Sequence, residues 1–128
     1  MSLNGAMRAS ARGLAAERTR MDLTSVNLAN ANSMRTASSE AFQARIAILT
    51  ATPEGPKVER IIEDLTPFRV VDDPGNPNAI NGVVTYSNVN PVFQMVDMMS
   101  AQRSYEANIA AFNAAKGMNR SALNIGRA

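Results

Sequence analysis

Two adjacent carboxylate pairs, Glu63-Asp64 and Asp72-Asp73, are where acid–base or metal chemistry would have to begin in this chain. Neighbouring residues of an extended strand point to opposite faces, so neither pair forms a working acid–base couple. The oxygens of Asp72-Asp73-Pro74-Gly75 suit calcium in kind, but a calcium loop needs ligands spaced in series. That run is expected to be a plain turn. Histidine and cysteine are both absent. Their absence removes the commonest general acid–base group, the thiol nucleophile, any disulfide and any Cys-based zinc site. The serines and threonines therefore have no histidine to activate them, and no glycine-rich loop cradles a phosphate. The expectation is a protein that is not an enzyme, with no catalytic, metal or cofactor-binding residues.

The polar residues that do ask for a reason are amides. Asn27, Asn30 and Asn32 fall within six positions near the end of a helical pattern. Asparagine is a mediocre helix-interior residue because its side chain competes for backbone hydrogen bonds. One reading is a helix stop, with asparagine in capping and left-handed positions. The other is that the amides bridge to the backbone of neighbouring subunits and fix register in an assembly.

The segments that hold these residues are helical at both ends of the chain. Residues 3–31 repeat Met7, Leu14, Met21 and Leu28 every seven positions, a narrow seam of the coiled-coil type. Residues 91–125 repeat Met98, Tyr105 and Phe112, with Met95, Ile109 and Leu123 on the companion positions beside Gln102 and Lys116. Asn90 is placed as N-cap and Pro91 at the first helical position. Between the helices lie short strand candidates at 42–52, 58–65, 68–71 and 83–86. They are separated by a strong turn at Pro53-Glu54-Gly55-Pro56 and a loop at 72–79. The run 58–65 is also compatible with a short helix.

Composition agrees with helices built to pack rather than with a dense core. Aromatics are 5% of the chain and tryptophan is absent. Alanine and methionine supply much of the apolar content; alanine permits close helix approach and methionine fills gaps. Net charge is +3 over residues 1–35, −3 over 36–90 and +2 over 91–128, and 11 of the 13 basic residues are arginine. These are either solvated faces or arginines that pair with carboxylates of a neighbouring subunit. Nucleic acid is not an expected partner, because the basic residues are dispersed and aromatics do not interleave with them. No apolar run is long enough to span a membrane. Arg8, Arg12, Arg18 and Arg20 interrupt any secretory hydrophobic region, so no cleaved signal peptide is expected.

The segment Arg20-Met21-Asp22-Leu23-Thr24-Ser25-Val26-Asn27-Leu28-Ala29-Asn30-Ala31-Asn32-Ser33 resembles the N-terminal signature of bacterial flagellar axial proteins of the rod and hook. Asn88-Val89-Asn90, Met95-Val96-Asp97, Arg103-Ser104-Tyr105-Glu106-Ala107-Asn108 and Phe112-Asn113 are similar to the C-terminal signature of the same family. The loop Asp73-Pro74-Gly75-Asn76-Pro77, leading to Tyr86-Ser87-Asn88, looks like the proximal rod members. Ser87 departs from the proline that many relatives carry there.

The resemblance implies an α+β fold: long terminal helices paired as an antiparallel coiled coil, with a small β-rich insert between them. The implied domains are 1–33 and 91–128 as one helical unit and 34–90 as a small outer domain. Met7, Leu14, Met21, Leu28, Met98, Tyr105, Ile109 and Phe112 would be the coiled-coil and inter-subunit seam. Asn27, Asn30 and Asn108 would be polar register contacts. The implied function is a structural subunit of a helical tube in the periplasmic basal-body rod, which transmits torque and encloses an export channel. Its partners would be further copies, other rod proteins, a motor-ring adaptor and the flagellar type III export apparatus. The alternative from the residues alone is a helical-hairpin binding module that docks on one partner.

Overall fold

A computed structural model describes residues 2–127. The element order is α1 (Leu3–Ala29), β1 (Arg45–Thr52), β2 (Gly55–Glu63), β3 (Arg69–Asp72), β4 (Val83–Tyr86) and α2 (Pro91–Gly126). The fold is α+β, with the two long helices packed on each other and two small sheets between them in sequence.

Local chemistry sets the helix ends. The Ser2 hydroxyl accepts from the Gly5 amide at 3.0 Å and starts α1. Asn90 starts α2: its Oδ1 accepts from the amides of Val92 and Phe93 at 3.1 and 3.3 Å, with Pro91 in the first turn. At the end of α1, Asn30 has φ −106° rather than a left-handed conformation. Its side-chain Nδ2 turns back to donate to Val26 O at 2.8 Å.

β1 and β2 form an antiparallel hairpin, so residues 58–63 are strand and not helix. The turn is Pro53-Glu54 alone, and Gly55-Pro56 already belongs to β2. Glu59 is the extra residue at a register shift opposite Ile48 and Leu49, and its carboxylate accepts from the Thr50 hydroxyl at 2.7 Å. β3 and β4 pair antiparallel as a second sheet. Asn81 and Gly82, at φ 55° and 80°, close a tight turn between bridged Ile80 and Val83 ahead of β4.

The first hairpin lies back along α1. Arg45 at its base meets Asn27, and Gly55 at its tip meets Ala9. Eighteen helical residues span about 27 Å, and the eight residues of β1 span about 26 Å, so strand and helix match in length. At the tip, Glu54 forms ion pairs with Arg8 and Arg12.

The helices run antiparallel. Gly13 sits against Asn108 and Asn27 against Gln94. This register leaves the last two turns of α2 beyond the N-terminus of α1. Every buried hydrophobic among the described residues is alanine or valine: Ala16, Ala31, Ala41, Ala44, Val84, Val89, Ala101 and Ala115. Leucine, isoleucine, phenylalanine and methionine are at best half-buried, and many are exposed.

Candidate assembly interface

The buried and half-buried residues of α2 form a stripe at Gln94, Met98, Ala101, Tyr105, Asn108, Phe112, Ala115 and Asn119, alternating steps of four and three, with Ser104 beside it. The heptad period of Met98, Tyr105 and Phe112 is therefore the period of the intramolecular seam. The companion positions are Ala101, Asn108 and Ala115, and not the expected Met95, Ile109 and Leu123. Ile109 is 40% exposed, and Met95 and Leu123 are more so. The reason is packing distance: small side chains let the helix backbones approach, while the bulkier set one step round the helix is displaced outward.

On α1 the fully buried residues are Gly13, Ala16, Thr24 and Asn27. Met7, Leu14, Met21 and Leu28 are each half-buried. Leu14 and Leu28 lie about 100° round the helix from Gly13 and Asn27, away from the Ala9 and Arg12 flank that holds the hairpin. The seam of α1 is polar for its depth, with Glu17 and Arg20 forming a 2.8 Å ion pair.

Gly13 is required by the close approach. A Cβ there would lie 2.7–2.8 Å from the Asn108 side chain, whose Nδ2 donates to its own helix at Ser104 O, 3.0 Å away. Asn108 is thus a knob seated on a glycine hole, while Asn30 bonds only within α1.

Asn27 does more, and does it inside the chain rather than towards a neighbour. It is 2% exposed. Its Oδ1 accepts from Arg45 N at 3.0 Å, and its Nδ2 donates to Arg45 O at 2.9 Å and to Gln94 Oε1 at 3.1 Å. One amide thereby joins α1, the first strand and α2. Asn88, which the sequence marked only as part of the C-terminal signature and gave no contact, is its counterpart. Its Oδ1 accepts from Ala44 N at 2.8 Å, and its Nδ2 donates to Asp64 O and Thr66 O, each at 2.9 Å. Consecutive backbone groups at the start of β1 are held by two asparagines, one from the end of α1 and one from the approach to α2.

Ser87, 2% exposed, completes the junction. Its amide donates to Ser33 O at 2.9 Å and its Oγ accepts from Val89 N at 3.2 Å. A proline at this position would lose both bonds.

Nearby, Asp64 is held below the ordinary carboxylate value. The Thr66 hydroxyl, donating at 2.6 Å, is the main cause and the Thr66 amide the second; slight burial opposes them. Among the described residues no group of three acidic side chains is placed to hold a metal ion, and no helix is long and apolar enough to cross a membrane.

An asparagine from the N-terminal helix and one from the approach to the C-terminal helix thus meet on one strand. The family described as "Flagellar basal body rod FlgEFG protein C-terminal" matches residues 80–125. "Flagellar basal-body rod protein FlgC" of Bacillus subtilis is 38% identical, covering 92% of this chain and 94% of its own length. The chain belongs to the FlgC family of flagellar basal-body rod proteins. The Salmonella typhimurium FlgC is 39% identical over 89% of this chain and 90% of its own, and that of Borreliella burgdorferi 33% over 98% of each. In this FlgC-type chain residues 20–33 and 88–90 are the segments that knot the two helices to the insert.

Proposed function

We propose that the chain is a structural subunit of the flagellar basal-body rod, polymerising into a helical tube that encloses the export channel and transmits torque. The observation that carries this reading is the inverted distribution of apolar side chains. The interior is alanine and valine, while Met95, Met99, Ile109, Met118, Leu123 and Ile125 of α2 are exposed over its length. A lone soluble domain rarely leaves so many large apolar side chains of one helix uncovered; neighbouring subunits would cover them. Family membership supports the same conclusion over the single-partner binding module.

In this reading Met7, Leu14, Met21 and Leu28 on α1, and Ile109 on α2, face neighbouring subunits. Met98, Tyr105 and Phe112 hold the pair together from within. Asn27 and Asn108 set register inside the subunit, so that the outward pattern is fixed before assembly, and Asn30 closes the end of α1 on its own helix. The units 1–33 with 91–128, and 34–90, act as inner and outer parts of the tube wall. The partners are further copies, other rod proteins, a motor-ring adaptor and the type III export apparatus, and the site is the periplasmic rod.

Ile109→Asp tests it on an exposed position. The variant is expected to keep wild-type helicity by circular dichroism and to be exported, yet to be missing from isolated basal bodies and to leave cells non-motile. Normal motility with this variant as sole source would overturn the reading.

A further inference from the structure

The end of the molecule where Asn27 and Asn88 meet carries an open groove of about 780 Å³. It is lined by Ile46, Pro67, Phe93 and Val96 as apolar walls and by Asp64 and Asp97 as acids. Phe93 is 68% exposed, far more than an aromatic side chain on a helix facing its own fold. Asp97 makes no ion pair among the described residues. Arg69 is the one cation in the lining, and it is turned over the Tyr86 ring at 4.5 Å. The groove is therefore apolar, acidic and unfilled by this chain.

The opposite end of the helix pair has the complementary character. At and beyond the N-terminus of α1, α2 continues with Met118, Leu123 and Ile125 exposed. Its charges there are Lys116, Arg120 and Arg127, and no acidic side chain follows Glu106. None of these three cations is ion-paired among the described residues. The tail cannot fold back into its own groove, because Phe93 and Leu123 lie on one continuous helix and are separated by about 45 Å.

We infer that the groove receives the C-terminal helix end of the adjoining rod subunit, one with the chemistry of residues 116–127 here: basic, acid-free and aliphatic. This rests on the proposed rod function and names the contact through which subunits stack. A groove at one end and its ligand at the other make a heterologous contact, which propagates instead of closing. Asp64 and Asp97 would face the tail arginines, and Phe93 and Val96 would cover its aliphatic side chains.

The test uses a labelled peptide of residues 112–128 titrated against the full chain, read by fluorescence anisotropy. Saturable binding is expected. Asp97→Lys in the protein, or Arg120→Glu with Arg127→Glu in the peptide, should each weaken it about five-fold, the scale of a partly exposed charge pair. The two changes together should restore it, which a merely misfolded groove would not do. Val96→Ser should also weaken binding. Binding indifferent to Asp97→Lys and Val96→Ser would overturn the groove as the site, with the tail docking on the helix seam instead. Absence of binding by a wild-type chain that does enter basal bodies would overturn the inference and leave the rod function standing. A wild-type chain that never enters basal bodies would overturn the proposed function itself.

Discussion

Replacing Asn27 with alanine should unlock the junction between both helices and the first strand. Three hydrogen bonds disappear, two to the backbone of Arg45 and one to Gln94. Each is worth about 0.5–1.5 kcal/mol net, and more where a partner stays buried and unsatisfied. Better helix propensity returns about 0.6 kcal/mol, and water can reach part of the exposed Arg45. The expected loss is about 2–3 kcal/mol. With a urea dependence of about 1–3 kcal/mol per molar, the midpoint of the full chain should fall by about 1–2 M. Asn27→Asp separates shape from donor capacity: it keeps the acceptor for Arg45 N but sets an oxygen against the Arg45 carbonyl. At 2% exposure that change should cost at least as much as alanine. Amide hydrogen exchange at Arg45 should quicken in both variants. Asn30→Ala, which loses a bond only within its own helix, should cost under about 1 kcal/mol. Midpoints of both Asn27 variants within about 0.3 M of wild type would refute the claim that this amide holds the junction.

Gly13→Ala should destabilise by about 1 kcal/mol despite its helix propensity, because the new methyl displaces Asn108. With Asn108→Ala added the sign should reverse to a gain of similar size in thermal unfolding; simple additivity would contradict the knob-and-hole contact. Gly55→Ala meets both a left-handed φ of 116° and the Ala9 backbone 2.9 Å away. It should cost about 2 kcal/mol or more and release the hairpin tip, seen as faster exchange in residues 51–57; wild-type exchange there would argue against a docked tip. Thr66→Val removes the main cause of the lowered Asp64 pKa, so an NMR titration of that carboxyl should move upward towards its ordinary value, and an unchanged titration would discount the hydroxyl. Because the folded pKa is the lower one, the stability from this contact is complete above the ordinary carboxylate range. It is lost as pH falls through Asp64's own value, a window that should narrow in Thr66→Val.

The helices, the Asn90 cap and the hairpin turn were legible because their causes are local. Asn90 and Pro91 start a helix by their own geometry, Pro53-Glu54 turns a chain wherever it stands, and a seven-residue repeat declares a helix face. The family was legible for a related reason: its signature asparagines are close in sequence at each end of the chain. Which positions face the partner helix was legible only in part: Met98, Tyr105 and Phe112 lie on the buried stripe, whereas Ala101 and Ala115 carry little hydrophobic signal and Asn108 takes its place through the close approach that Gly13 permits. Ile109 looked like seam by hydrophobicity and periodicity, yet the tight crossing turned it outward. The roles of Asn27 and Asn88 belong wholly to tertiary structure. An amide declares that it needs partners, and only the return of β1 along α1 decided that these partners are the backbones of Ala44 and Arg45. Local propensity is written residue by residue, whereas a hydrogen bond across 18 or 44 positions exists only once the chain has been packed.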